Sequence, residues 1–209
     1  MTYTRAIGVA CNKVILLIVR WLALAKIHPN VLTFIGLLIN VAAAVLLASG
    51  RFMAAGFVIT GAAIFDMVDG RVARETNTVT RFGGFFDSVL DRYSDLALLM
   101  GLLVYYASID RFFYIILTAI VMTGSVMVSY TRARAENVIP LCKVGFMERP
   151  ERIVLLIIGA LFDRMAPVLW VIAVLSNLTV IHRMGHTWQE TKRLEEAQLR
   201  PAAGISHRK

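Results

Sequence analysis

Charged side chains are scarce in this sequence. Only 17% of its 209 residues are Asp, Glu, Lys or Arg, whereas 58% are hydrophobic, and the mean hydropathy is +0.69. Soluble globular domains contain about 25% charged and about 45–50% apolar residues. The composition therefore excludes an ordinary soluble domain and indicates a single membrane domain.

Cysteine is also nearly absent. Cys11 and Cys142 are the two present, which provides neither a disulfide framework nor a zinc-binding pattern. The start of the chain lacks the charged segment, short apolar core and small-residue cleavage site of a secretory leader, so we expect no cleaved signal peptide. We expect membrane lipid as the surroundings of the chain and no nucleic-acid partner.

Residues 1–28 are apolar but interrupted by cations. Arg5, Lys13, Arg20 and Lys26 recur along one side of the predicted helix, a pattern that favours a helix lying in the membrane interface over one crossing it. Pro29 should end this helix. The sequence therefore predicts an N-terminal interfacial amphipathic helix.

Beyond it, the apolar segments predict an all-α integral membrane protein with six transmembrane helices. The second segment, 52–65, has only 14 residues, short of the roughly 20 that a span needs. Its helix should therefore continue into the polar motif that follows. The six predicted spans are 31–50, 52–65 with this extension, a third that begins in the motif and runs through 96–108, 112–130, 153–162 with part of the preceding ERPER, and 166–181.

These segments predict one domain, made of a six-helix bundle at 31–183 and a cytoplasmic tail at 184–209. The tail should form a surface helix broken by Pro201. With six spans, Arg51, Arg111 and Arg164 lie on one side of the membrane and all other lysines and arginines on the opposite side. This asymmetry predicts that the polar motif faces the cytoplasm. We expect the membrane to be a bacterial inner membrane.

The polar motif, residues 66–91, contains four aspartates in an apolar chain. Asp66 and Asp69 are three residues apart, and Asp87 and Asp91 are four apart, so each pair shares a helix face. A helical hairpin would bring the pairs together, and four carboxylates at one place repel each other unless cations lie among them. Hard oxygen ligands at this density favour Mg²⁺ or Mn²⁺ as cofactor, with room for two ions.

Small residues and an arginine accompany these aspartates. Gly70 and Ala73 follow the first pair, Gly83 precedes the second, and their missing side chains leave space for a ligand. Arg74 offers a planar fork to a phosphate. Together with metal ions, these features indicate a nucleotide diphosphate. The competing interpretation is a solvated turn, with the four acids paired to Arg71, Arg74, Arg81 and Arg92.

The motif reads Asp66-x2-Asp69-Gly70-x2-Ala73-Arg74-x8-Gly83-x3-Asp87-x3-Asp91. It resembles the signature of the CDP-alcohol phosphotransferase family at all eight specified positions, and HPNVLTFIG at 28–36 is similar to the family's entry into its first span. The resemblance implies six transmembrane helices, two divalent ions, a CDP-linked lipid donor and a homodimer. It implies that Asp66, Asp69, Asp87 and Asp91 bind metal, that Asp91 is also the general base, and that Asn30, Gly70, Arg74 and Thr80 line the CDP site.

A second group of cations lies at the ends of the later spans. Arg132 and Arg134 end the fourth, Arg152 begins the fifth and Arg183 closes the sixth. These four residues, here called the arginine cluster, could face lipid headgroups with Glu136, Glu148 and Glu151 neutralising some of them. Alternatively, their guanidinium groups converge on the phosphate of an acceptor.

The arginine cluster resembles the acceptor pocket of bacterial phosphatidylinositol-phosphate synthases. That resemblance implies transfer of a phosphatidyl group from CDP-diacylglycerol to inositol phosphate, with release of CMP. Glycerol 3-phosphate, unphosphorylated inositol and serine stay open as acceptors, and an archaeal-type lipid stays open as donor. An ion-coupled transporter is the alternative of another class, although the acids lie near one membrane face. Asp95 lies outside the signature and is expected to support the site indirectly or in a salt bridge.

Overall fold

The computed structural model describes residues 29–75 and 80–203, with side chains placed for residues 30–67 and 80–197. The predicted interfacial helix at 1–28 lies outside the described residues. Within the described ranges the structure consists of helices and their connections, with no strand, so the all-α prediction is confirmed there. The helices are α1 Pro29–Ala48, α2 Phe52–Glu75, α3 Arg81–Ser108, α4 Phe112–Ala135, α5 Arg149–Leu161 and α6 Met165–Ala203.

Three of these helices contain stretches that are long and apolar enough to cross a membrane. The stretches are Asn30–Ala48, Phe112–Ala135 and Met165–Ala197, and a shorter apolar stretch covers Phe52–Met67. Large apolar side chains are exposed on the helix surfaces, among them Phe57 and Phe112. An apolar exterior of this kind is suited to contact with lipid.

The second helix continues into the polar motif and the third helix begins within it, as the sequence predicts. α2 is 24 residues long and passes through Asp66 and Asp69 without a break. α3 begins at Arg81 inside the motif and is 28 residues long. The predicted extension of the 52–65 helix into the motif is therefore confirmed. α5 includes most of the ERPER segment, as expected, but has only 13 residues.

The first compact unit contains residues 29–110 together with Ile157–Arg164. In it α1 packs against both α2 and α3. Gly101 of α3 lies so close to α1 that a Cβ atom there would collide with the backbone carbonyl of Ala44. This close approach of two backbones fixes α3, and with it the second aspartate pair, against α1.

The second compact unit contains Arg111–Leu156 and residues 165–203. Its main packing is between α4 and α6. A Cβ at Gly124 of α4 would lie 3.1 Å from the Cβ of Ser176 on α6, so these helices also approach closely. The buried side chains of Val121 and Leu169 contribute to the apolar interior of this unit.

The last helix differs from its predicted division into a span at 166–181 and a separate tail. α6 is a single helix of 39 residues, which includes positions 184–203 of the predicted tail. Hydrogen bonds from Thr187 Oγ1 to the Arg183 carbonyl and from Thr191 Oγ1 to the Thr187 carbonyl follow the helix. An ion pair of 3.0 Å between Glu190 and Arg193 adds to them. These local contacts favour continuation of the helix where the sequence turns polar.

Candidate active site

The first aspartate of the motif lies against α1. The side chain of Asp66 is half-buried, and a Cβ placed on Gly36 would lie 2.8 Å from its Oδ1 atom. The absence of a side chain at Gly36 therefore provides the space that the Asp66 carboxylate occupies. The backbone of α2 continues through Asp69, Gly70 and Arg74, so their helical spacing is as predicted, while their side chains lie outside the description.

The start of α3 brings together two of the residues that were predicted to line the CDP site. Thr80 is the N-cap of the helix, and its hydroxyl accepts a hydrogen bond of 2.9 Å from the backbone N–H of Gly83. A Cβ at Gly83 would lie 3.0 Å from Thr80 Oγ1 and 3.4 Å from Asn30 Oδ1. Because Gly83 has no side chain, Thr80 and Asn30 of α1 can both lie close to it.

The second aspartate pair lies one turn apart on α3. Exposure falls along this row: Asp87 is exposed, the side chain of Asp91 is 19% exposed, and Asp95, one turn further on, is 6% exposed. Asp91 lies 4.0 Å from the guanidinium of Arg92. Asp95 also has a polar or ionic interaction within the protein.

The predicted metal ligands are divided between α2, which carries Asp66 and Asp69, and α3, which carries Asp87 and Asp91. The side chains described for Asp66, Asp87 and Asp91 do not belong to any group of three or more metal-ligating residues within the described part of the chain. Asp69, the fourth member of the set, lies outside the described side chains. The four-aspartate site therefore stays a prediction. Its oxygen donors fit a hard divalent cation.

Two members of the arginine cluster converge in the second unit. Arg132 Nη1 and Arg183 Nη2 each donate a hydrogen bond of 2.9 Å to the same atom, Glu148 Oε1. Arg132 also donates to Glu136 at 3.1 Å. Sequence reasoning identified Glu148 and Glu136 as neutralising residues, but not that one carboxylate oxygen joins two arginines.

Arg183 is almost completely buried, with 1% of its side chain exposed. In addition to Glu148, it donates from Nε to the Val144 carbonyl at 2.8 Å and from Nη1 to the Val128 carbonyl. The bond to Val144 links α6 to the connection before α5. A hydrogen bond from the Met147 N–H to Thr179 Oγ1 links the same two segments again. Arg183 is thus a rigid element of the second unit.

The other two arginines of the cluster have different surroundings. Arg134 is exposed and lines a cavity of about 490 Å³ that Arg183 also borders, with Tyr130 and Trp188 among the other lining residues. Arg152 is buried at the start of α5 and has an interaction partner within the protein. The structure thus joins Arg183 to Arg132 through Glu148 and to Arg134 through the cavity.

The helical architecture with its apolar spans defines an integral membrane protein, and comparison with known proteins identifies its class. Residues 26–182 match the family model described as CDP-alcohol phosphatidyltransferase. The chain belongs to the CDP-alcohol phosphatidyltransferase family and is a phospholipid-synthesising transferase. The predicted family and enzyme class are confirmed, and the transporter alternative has no support in these matches.

Relatives of this chain are named as synthases of inositol phosphate lipids. The archaetidylinositol phosphate synthase of Pyrococcus horikoshii is 39% identical over 180 residues, which cover 83% of this chain and 89% of that protein. The crystal structure of the Mycobacterium tuberculosis phosphatidylinositol phosphate synthase with CDP-DAG bound is 32% identical, with a TM-score of 0.78 over 84% of this chain and 94% of that one.

A second crystal structure of the same mycobacterial enzyme is a complex with manganese and citrate. It is 34% identical to this chain, with a TM-score of 0.75 over 82% of this chain and 87% of that one. The resemblance to phosphatidylinositol-phosphate synthases that the arginine cluster indicated is therefore confirmed at the level of whole chains.

Proposed function

We propose that this enzyme transfers a phosphatidyl group from CDP-diacylglycerol to a hydroxyl of inositol phosphate and releases CMP. The observation that carries the choice of acceptor is the convergence of Arg132 and Arg183 on one oxygen of Glu148. Two guanidinium groups directed at one oxyanion provide charge-assisted donors for a phosphate. Unphosphorylated inositol has no anionic group to pair with them, and serine offers only a singly charged carboxylate.

The donor is bound by residues of the first unit in this proposal. Asn30, Gly70, Arg74 and Thr80 line the CDP part, and Gly83, which has no side chain, leaves room for the side chains of Thr80 and Asn30 beside the start of α3. The N-terminus of α3, capped by Thr80, contributes a positive dipole end that favours a diphosphate.

Asp66, Asp69, Asp87 and Asp91 would hold the divalent cations, Mg²⁺ or Mn²⁺ and two in number. Bound ions would neutralise charge on the diphosphate and stabilise the departing CMP. The mycobacterial relative crystallised with manganese, and the oxygen-rich donor set of this chain, both support a divalent cation.

The chemical step uses Asp91 as general base. Its carboxylate accepts the proton of the acceptor hydroxyl while that oxygen forms a bond to the lipid-linked phosphorus, and the bond from this phosphorus to the CMP oxygen breaks. Asp91 suits this role because its side chain is only partly exposed and lies between the exposed Asp87 and the buried Asp95. Partial burial limits competition from water.

The surroundings of the enzyme form part of the same proposal. We infer six transmembrane helices preceded by the interfacial helix at 1–28, a single domain, a homodimer, and a cytoplasmic active site in a bacterial inner membrane. The asymmetric distribution of lysine and arginine supports the orientation. The family resemblance supports the span number and the dimer.

A screen of CMP release tests the proposed acceptor and donor. Purified enzyme in lipid nanodiscs is given CDP-diacylglycerol and, in separate reactions, inositol phosphate, glycerol 3-phosphate, inositol or serine. Inositol phosphate should give the highest kcat/KM. Faster transfer to glycerol 3-phosphate would instead identify a phosphatidylglycerophosphate synthase, and robust transfer to inositol or serine would contradict a phosphorylated acceptor.

The archaeal relative supports one variation on the donor. Because that synthase is named for an archaetidyl product, the screen should be repeated with a CDP-linked archaeal-type lipid. A higher kcat/KM with this donor, at the same acceptor preference, would assign the archaeal-type lipid as substrate.

A further inference from the structure

Glu148 accepts hydrogen bonds from the same two guanidinium groups that would bind the phosphate of the proposed acceptor. Its Oε1 atom accepts from Arg132 Nη1 and from Arg183 Nη2, both at 2.9 Å. A carboxylate oxygen and a phosphate oxygen are acceptors of the same charge sign, and both form short, charge-assisted bonds with guanidinium groups. The two anions therefore compete for the same N–H groups.

The two arginines do not depend on Glu148 for their positions. Arg183 is anchored by the carbonyls of Val144 and Val128, and Arg132 is anchored by Glu136. If the Glu148 side chain moved away, Nη1 of Arg132 and Nη2 of Arg183 would still be directed at the space that its oxygen had occupied. Such donors need little rearrangement to bind a new anion.

Glu148 itself is free to make this movement. Its side chain is 40% exposed, and the residue lies immediately before α5 and not within a helix. Its backbone N–H is bound separately, to Glu151 Oε2 at 3.1 Å, so the main chain can remain in place while the side chain rotates. Solvent stabilises the carboxylate once it has left the arginines.

We propose that Glu148 is a specificity-determining residue that occupies the acceptor's phosphate position until a phosphorylated acceptor displaces it. A dianionic phosphate forms stronger bonds to the two guanidinium groups than a carboxylate does, and so replaces it. Inositol has no anionic group that could replace Glu148, and the singly charged carboxylate of serine gains no advantage over the carboxylate it would displace, so both are rejected. This inference rests on the proposed function, since it assigns a competitor to the acceptor site.

The test compares Glu148→Gln with wild type in the CMP-release assay, using inositol phosphate as acceptor. The neutral amide competes less well than the carboxylate, so the acceptor KM should fall roughly three- to ten-fold while kcat stays the same. The inhibition constant of inorganic phosphate should fall by the same factor. Glu190→Gln, which removes the same charge from an exposed ion pair on α6, should leave both constants unchanged.

Contrary outcomes distinguish this inference from the proposed function. An unchanged or raised acceptor KM in Glu148→Gln, with normal turnover of wild type on inositol phosphate, overturns the inference alone. Absence of CMP release from wild type with inositol phosphate overturns both. A structure of the wild-type enzyme with inositol phosphate needs no variant: Glu148 must have left Arg132 and Arg183, and persistence of both contacts overturns the proposal.

Discussion

Replacement of Gly36 by alanine should weaken metal binding without lowering the stability of the protein. The added Cβ would lie 2.8 Å from Asp66 Oδ1, whereas ordinary van der Waals contact begins at 3.4 Å. The carboxylate would therefore have to move by about 0.6 Å, because the glycine backbone is fixed in a packed helix. Metal–ligand distances tolerate only about 0.2 Å. We expect weaker metal binding as a result.

The size of the effect follows from comparable changes around metal sites. Disturbing a group that orients a ligand lowers metal affinity about ten- to a hundred-fold. At the same time, alanine in place of glycine inside a helix stabilises it by roughly 0.5–1 kcal/mol. The variant should thus be at least as resistant to thermal unfolding as wild type, and yet need about ten times more Mg²⁺ or Mn²⁺ for half-maximal CMP release.

The chain contains a matched control for this variant. Gly61 lies in α2, and a Cβ there meets no described atom within 4 Å. Gly61→Ala should therefore gain helix stability without a change in metal dependence. Titration of Mn²⁺ by electron paramagnetic resonance, with no substrate present, measures the affinity of each variant directly. Equal Mn²⁺ affinities in the two variants would refute the assignment of Asp66 as a metal ligand held against Gly36.

Three further predictions follow from the proposed mechanism. Excess EDTA should abolish CMP release, and added Mg²⁺ or Mn²⁺ should restore it; activity that survives chelation would contradict a metal-dependent step. Asp91→Asn should lose turnover but still bind CDP-diacylglycerol in an equilibrium assay, and turnover close to wild type would exclude Asp91 as the base. Arg132→Ala should raise the acceptor KM about ten- to a hundred-fold with little change in the donor KM. Arg132→Lys should recover part of the loss, since lysine keeps the charge but not the planar fork; an unchanged acceptor KM in Arg132→Ala would remove Arg132 from the phosphate site.

Arg132 is a sharper probe of the acceptor site than Arg152. Both belong to the arginine cluster, but Arg152 is buried, whereas the Arg132 side chain is 37% exposed. Truncation of a buried arginine leaves its partners without a counter-charge and destabilises the fold. The effect on acceptor binding would then be mixed with loss of folded enzyme.

Local features of the sequence predicted α2 and α3 well. The 52–65 segment was too short to cross a membrane, which required its helix to continue into the aspartates, and α2 does so. The third span is predicted to begin within the motif, where a helix places Asp87 and Asp91 on one face, and α3 begins there at Arg81. Both inferences depend on helix length and on the 3.6-residue period, which are properties of a single segment.

Contacts between distant segments could not be predicted in this way. Gly36 and Asp66 are 30 residues apart in sequence, and nothing in either segment indicates that the glycine faces the carboxylate. The bond between Arg183 and Glu148 joins residues 35 apart, one in α6 and one in the connection before α5. The sequence identified the residue types that the site needs, whereas the partner of each one is a product of tertiary structure.

The continuous α6 provides a means of imaging this small protein. At 1.5 Å per residue its 39 residues extend over about 58 Å, roughly twice the 30 Å thickness of the hydrocarbon layer. A soluble helical protein joined in helical register after Ala197 would be connected to the spans through unbroken helix. Such a fusion would give an enzyme of 23.2 kDa a rigid external marker for particle alignment in electron cryomicroscopy.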